Sequence, residues 1–266
     1  MNQLTLNKFT RRRFLSSATT LGAVSILGLP EKSYAESPPE TTTIRVVDFQ
    51  AICVAPEFLA EELLYAEGFK KVEYVKHVAN VVADPQAVDF HVVTAAPLVA
   101  RLDTDSRLVA IAGIHVGCQE LIASHRVQAI RELKGKSIAI SAIGSGEHIS
   151  TSSVVAYVGI NPKTEINWVV AGSSKAAMQL FIDGKVDAYW AFEPQPRALK
   201  SMNIGHVLLK TVEDRPWSQY FCCLLAARKD FLQQYPVAAK RAARAFLKAT
   251  DICANDRMNS ARSRRT

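Results

Sequence analysis

The chain has 266 residues, 48% hydrophobic and 21% charged, a globular balance with apolar material for one large core or two smaller ones. Its net charge of +7 is concentrated at the ends: five of the 32 basic side chains but one of the 25 acidic ones lie in residues 1–35, and Arg257, Arg262, Arg264 and Arg265 crowd the C-terminus. The body is close to neutral and has no basic stripe interleaved with aromatics, which excludes nucleic acid as a partner.

Thr10-Arg11-Arg12-Arg13-Phe14-Leu15 fits a twin-arginine export motif. A moderately apolar run from Leu15 to Leu29 follows. It is shorter than the ~20 residues that span a bilayer and is interrupted by Ser, Thr and Gly. Pro30 and Ser33-Tyr34-Ala35 then supply a small-residue cleavage site. Residues 1–35 are therefore expected to be a signal peptide, cleaved after about Ala35. The twin-arginine translocase is the expected export partner, and the periplasm the destination. Residues 36–43 form a polar, proline-bearing linker.

Strand and helix patterns alternate from there. Ile44 to Phe49 reads as a strand, and Glu57 to Glu67 as a helix stopped by Gly68. Val72 to Val78 and Val88 to Val93 are strands, and Pro97 to Leu102 is a short helix. Leu108 to Ile114 and Gln119 to Ser124 are strands separated by Gly117. The plan then restarts. Ser137 to Ser141 is a strand, Gly144-Ser145-Gly146 opens a helix to about Tyr157, and Ile166 to Val170 is a strand. Ser174 to Ile182 is a helix stopped by Asp183-Gly184, and Val186 to Ala191 is a strand. A short helix runs toward Lys200, Val207 to Leu209 and Tyr220 to Ala227 are strands, and Pro236 to Ala254 is a basic amphipathic helix. This order predicts an α/β fold with mostly parallel sheets. The restart near residue 120 predicts two lobes.

Ligands of open α/β sheets bind beyond the carboxyl ends of strands. That rule selects Gln50, Ile52 and Cys53 after the first strand and Thr94, Ala95 and Ala96 after the third. It also selects Gly144, Ser145, Gly146 and His148 at a strand-to-helix turn, and Trp190 and Glu193 near the end of Val186 to Ala191. The glycines admit a close backbone approach. N–H groups at the helix start favour an anion, aided by the Ser145 hydroxyl; an ordinary turn with a helix cap is the competing reading. His148 fits a donor to a bound anion or a capping histidine. Trp190 fits a stacking surface or core packing. Glu193 fits a partner for a ligand amine or a crossover residue.

Cys53, Cys118, Cys222, Cys223 and Cys253 are odd in number, so at least one thiol stays unpaired in an oxidising compartment. Their spacing along the chain is not that of a metal site. Cys222-Cys223 lies in an apolar run, which favours a buried hydrophobic role. No metal, cofactor or catalytic residue is expected: there is no G-x-S-x-G elbow and no H-E-x-x-H.

Leu133-Lys134-Gly135-Lys136-Ser137-Ile138-Ala139-Ile140, Gly144-Ser145-Gly146 with His148, and Gly184-Lys185-Val186-Asp187-Ala188 with Glu193-Pro194 resemble the nitrate/sulfonate/taurine group of ABC-transporter substrate-binding proteins. That group includes the thiamine-pyrimidine-precursor binders. Val88-Asp89-Phe90 with Ala95-Ala96-Pro97 matches its other half. The resemblance covers roughly Ile44 to Cys253. It implies a two-lobed periplasmic binding fold of type II, closing on a small-molecule ligand and docking onto an inner-membrane ABC permease. It divides the chain into 44–118 (lobe 1, first part), 119–215 (lobe 2) and 216–254 (return to lobe 1). Residues 255–266 form a basic tail without apolar period, so the first lobe is expected to be truncated at its C-terminal end. The alternative is an enzyme resembling thiamine-pyrimidine synthase, which uses its own histidine and pyridoxal phosphate. Phe90-His91-Val92-Val93-Thr94-Ala95-Ala96 lacks the lysine of that branch, and Cys222-Cys223 alone does not reproduce its cysteine cluster.

Overall fold

The computed structural model describes residues 36–48, 52–76, 87–105 and 107–255. The expected signal peptide, Gln50 and all but the first residue of the basic tail lie outside the described residues. No helix among the described residues is long and apolar enough to cross a membrane.

Two five-stranded sheets carry the fold. The first contains β1 (Thr43–Asp48), β2 (Lys71–Lys76), β3 (Phe90–Thr94), β4 (Leu108–Val116) and β10 (Phe221–Arg228), in the order β2-β1-β3-β10-β4. The second contains β5 (Gln119–Ala123), β6 (Ser137–Ile140), β7 (Asn167–Val170), β8 (Ala188–Phe192) and β9 (His206–Lys210), in the order β7-β6-β8-β5-β9. The two orders follow one plan. In each, the fourth strand arrives from the other sheet, β10 into the first and β5 into the second. Both of these strands run antiparallel to their neighbours, whereas β1-β2, β1-β3, β6-β7 and β6-β8 are parallel. The sheets are therefore mixed rather than mostly parallel. Hydrophobic periodicity marks a strand but carries no direction, so a strand that crosses between sheets is invisible to it.

The helices are α1 (Ala55–Ala66), α2 (Ala95–Leu102), α3 (Gly146–Tyr157), α4 (Ser174–Ile182), α5 (Gln195–Ser201), α6 (Lys229–Gln234) and α7 (Pro236–Asn255). The short α6, ended by Pro236, adds an element that the periodicity did not separate from its surroundings. Ser173 caps α4 by accepting from Ala176 N, and Ser145 caps α3 by accepting from His148 N. α7 buries Ala238, Ala242, Ala245, Phe246 and Ala249 along one face, a stripe of small residues that lets it lie close on Ala60 and Leu64 of α1. Phe90 of β3 stacks on Phe246 at 5.8 Å and meets Phe231 edge-on at 5.9 Å. Glu67 at the end of α1 pairs with Arg244, at 2.8 Å between Oε1 and Nε, and Glu40 caps the start of α7 through Val237 N and Ala238 N.

Two aspartates do the same work in the two sheets. Asp89, just before β3, accepts from Arg45 N at 2.9 Å and pairs with the guanidinium groups of Arg45 and Arg228. Asp187, just before β8, accepts from Ser137 N at 3.0 Å and from Ser137 Oγ at 2.8 Å. Each carboxylate fastens the start of the neighbouring parallel strand. The Val-Asp steps that carry part of the family resemblance are thus structural fasteners at the edge of each sheet where these strands begin.

The chain passes between sheets twice, from β4 to β5 through Gly117-Cys118 and from β9 to β10 through residues 211–220. The two crossovers touch. Gly117 has φ +43°, and a Cβ there would lie 2.3 Å from Val212 Cα, so only glycine fits. Thr211 Oγ1 accepts from Cys118 N (3.2 Å) and Gln119 N (3.1 Å) and donates to Gln119 O (3.0 Å). Thr211→Val keeps the shape and deletes these bonds in a buried position, so it is expected to destabilise the protein by about 1–3 kcal/mol in urea unfolding.

Glu57, in the first turn of α1, is buried and accepts from Val92 N at 3.2 Å. Burial pushes its carboxyl well above the usual range, against the lowering effect of that hydrogen bond. A raised folded-state pKa favours the protonated form. Its stabilising contribution is present below the ordinary carboxylate pKa and is lost as pH rises through the folded value. Glu57→Gln is expected to melt higher than wild type at neutral pH and to lose part of the fall in Tm with rising pH; melts from acid to neutral pH check both.

Candidate functional site

The strand-end loops of the two sheets face each other across a cleft of about 430 Å³. Thr94, Ala95, Ala96 and Val99 line one side, at the end of β3 and the first turns of α2. Ile149, Ser150 and Ser153 of α3 and Trp190 of β8 line the other. The crossovers form its floor and rim through Gly117, Gln119, Thr211, Trp217, Tyr220, Phe221 and Cys222. A larger hollow of about 640 Å³ lies on the outer face of α1 and α7, among Leu63, Ala243, Leu247 and Ile252. Among the described residues no strand end lines it, so the cleft is the better candidate.

Among the described residues, no acidic or basic side chain lines the cleft, and its polar groups stand beside four aromatic rings. Two donors stand out. Trp190 is 1% exposed and Gln119 is 5% exposed, and among the described residues neither Trp190 Nε1 nor Gln119 Nε2 has a hydrogen-bond partner. A buried N–H without a partner is costly, and both groups lie in the wall of the cleft shielded from solvent, Trp190 within the apolar core of the second sheet. Gly113 on β4 leaves room for the Phe221 ring, which comes within 2.3 Å of where a Cβ would stand.

The residues selected by strand-end reasoning divide. Thr94, Ala95, Ala96 and Trp190 line the cleft. Gly146 lies against Thr94, with 3.7 Å from its Cβ position to Thr94 Cγ2, so the glycine–serine turn and the end of β3 are neighbours across the two sheets. Gly144, at φ +82°, makes the turn itself. Ser145 is buried and spent on capping α3. His148 accepts from Gly144 N through Nδ1 at 3.1 Å and packs edge-on against Trp168 at 4.7 Å, and burial lowers its pKa. Glu193 pairs with Arg197 at 3.0 Å. Ile52 and Cys53 lie in a 3₁₀ turn between β1 and α1 and are not among the lining residues. Sequence reasoning passed over Gln119, which opens a strand instead of following one, and the Trp217–Cys222 segment, whose aromatic spacing was the available signal.

Glu147, next to His148, holds the turn in place. Its buried carboxylate accepts from Ser141 Oγ at 2.6 Å and from Ser174 Oγ, joining β6, α3 and α4.

Four of the five cysteines gather beneath the cleft. Cys118 Sγ lies 2.8 Å from Cys222 Sγ. One donor atom each from Cys53, His115, Cys118 and Cys223 lie within 4.8 Å of one another. His115 Nε2 is 3.0 Å from the Cys53 carbonyl oxygen. Hydrogen bonds with Cys118 and Cys223 draw the Cys222 thiol down, whereas hydrogen bonding with Cys118 pushes the Cys223 thiol up. Chain spacing hid this group because its members come from three separate segments, at Cys53, at His115 to Cys118 and at Cys222-Cys223.

A sequence profile of the NMT1-like family matches residues 79–264, more than half of the chain. The chain belongs to the NMT1-like family. A sequence search of curated proteins found no match. Among solved structures, the fold is similar to the periplasmic nitrate-binding protein NrtA from Synechocystis PCC 6803, with a TM-score of 0.69 and 17% identity over 85% of this chain. The chain spans 66% of that protein's length. It is also similar to the alkanesulfonate-binding protein SsuA from Xanthomonas axonopodis pv. citri bound to MOPS (TM-score 0.68, 17% identity, 84% of this chain and 78% of that one). The aliphatic sulphonate binding protein SsuA from Escherichia coli follows (TM-score 0.64, 17% identity, 83% and 77%). At these identities the likeness establishes the periplasmic binding protein fold.

Glu147→Ala leaves two buried serine hydroxyls without their acceptor and is expected to cost about 1–3 kcal/mol in urea unfolding. Glu147→Gln keeps an acceptor oxygen and is expected to recover part of that loss.

Proposed function

We propose that this protein is the solute-capturing component of an ABC importer. It holds a small molecule in the cleft between two lobes and hands it to an inner-membrane permease. Family membership and the likeness to nitrate- and sulfonate-binding proteins support the class. The observation that carries the reading for this chain is the cleft itself, with two buried, unpartnered N–H donors in its wall. In this reading residues 44–118 and 216–254 build one lobe and residues 119–215 the other. The twin-arginine segment exports the chain to the periplasm, with cleavage after about Ala35.

The lining defines the ligand chemistry. Gln119 Nε2 and Trp190 Nε1 donate to acceptor oxygens, helped by the N-terminal turns of α2 and α3. With no cationic side chain in the lining among the described residues, an anion is held by N–H groups and helix ends, as oxyanions are held where no counter-charge is present. Trp190, Trp217, Tyr220 and Phe221 supply area for an apolar or planar part. An organic sulfonate or carboxylate with an apolar or aromatic tail satisfies both halves of the cleft. Thr94, Ala95, Ala96, Gly146, Ser150 and Thr211 complete the proposed contacts.

A thermal-shift screen of nitrate, alkyl and aryl sulfonates, aromatic acids and pyrimidines tests the reading. A ligand is expected to raise Tm progressively with concentration. Gln119→Leu and Trp190→Phe are each expected to weaken the hit by roughly tenfold in calorimetric titration, about 1.4 kcal/mol. Unchanged affinity in both variants would remove the cleft from consideration.

A further inference from the structure

We propose that Cys53, His115, Cys118 and Cys223 form a binding site for one Zn²⁺ ion at the root of the crossovers. This site is separate from the solute cleft and does not depend on the reading of that cleft.

The geometry carries the proposal. A tetrahedral zinc site with Zn–S near 2.3 Å and Zn–N near 2.0 Å places its donor atoms roughly 3.5–3.8 Å apart. Here three sulfurs and an imidazole nitrogen already lie within 4.8 Å of one another. Small side-chain rotations bring that set onto a single ion. Three cysteines and one histidine are a structural zinc donor set, and thiolates select thiophilic metals over magnesium or calcium. His115 Nε2 lies 3.0 Å from the Cys53 carbonyl oxygen, a contact that holds the imidazole beside the three sulfurs. Packing as small apolar side chains explains one buried cysteine or a pair. It does not explain why three separate segments, at Cys53, at His115 to Cys118 and at Cys223, bring these donors to one point.

Position gives the site its consequence. Cys53 follows β1, His115 lies in β4, Cys223 lies in β10, and Cys118 sits on the crossover that leads to the second sheet. Zinc binding therefore ties a crossover to the first sheet, immediately beside the Thr211 bonds. Cys222 is not one of the four. It lines the cleft, and its sulfur, 2.8 Å from that of Cys118, offers the rival state, a Cys118–Cys222 disulfide.

The test uses the full chain, reduced and stripped with a chelator, then given Zn²⁺ alone. One zinc per chain is expected by elemental analysis after gel filtration, with a raised Tm. Co²⁺ in its place is expected to show thiolate-to-metal charge-transfer bands and intense tetrahedral d–d bands. Cys53→Ser, Cys118→Ser and Cys223→Ser are each expected to weaken zinc binding at least about tenfold while keeping a native circular-dichroism spectrum. Cys222→Ser, which removes the rival disulfide, and Cys253→Ser, outside the cluster, are expected to bind as wild type does. The proposal is overturned if the folded, reduced wild type binds no stoichiometric zinc or if Cys118→Ser and Cys223→Ser keep full affinity. It is overturned equally if Cys222→Ser abolishes binding, or if exported protein carries a Cys118–Cys222 disulfide and no zinc.

Discussion

Thr211 joins the two crossovers that link the sheets of this protein. Its hydroxyl serves two backbone N–H groups and one carbonyl of the opposing crossover, while its own N–H donates to Gln119 O at 3.0 Å. A crossover is a short length of chain with no sheet to satisfy its polar groups. Buried there, it needs another source of hydrogen bonds. The second crossover provides it, and Gly117 allows the close approach. This contact holds the two crossovers together between the sheets.

The two sheets solve one problem twice. Each exports a strand to the other, and the imported strand runs against its neighbours. In each, an aspartate just before a parallel strand accepts a backbone N–H near the start of its neighbour, Arg45 N in β1 and Ser137 N in β6. These fasteners leave the opposite, carboxyl ends of the strands free to form the cleft. Division of labour follows from this: Asp89, Asp187 and Glu147 hold the frame by setting carboxylates against donors, while among the described residues no acidic or basic side chain lines the cleft. A neutral wall with unpartnered N–H groups suits a guest that brings its own acceptors.

Much of the fold was legible because its cues are local. Ser173 and Asp183-Gly184 bracket α4, and its sequence limits and structural limits agree at Ser174 and Ile182. Glycine at 117 marked the break between two strands. The strand-end rule led to Thr94, Ala95, Ala96 and Trp190, all of which line the cleft. What stayed hidden is non-local. Strand direction leaves no trace in periodicity, so the mixed sheets went unread. Gln119 pairs with Thr211, and His115 and Cys118 are joined by Cys53 and Cys223 from about 60 to 110 residues away, which spacing along the chain cannot register. Ser145 and His148 show the converse. Both sit in a glycine-rich turn that reads as an anion cradle, yet their polar atoms are engaged in capping that turn.

Hydrogen–deuterium exchange with and without a solute that raises Tm tests the central claim most directly. If the cleft is where the solute is held, protection will appear at once in the first turns of α2 and α3 and in the Trp217–Cys222 segment, which belong to both sheets and to a crossover. Protection confined to one sheet, or to the outer groove between α1 and α7, would contradict it.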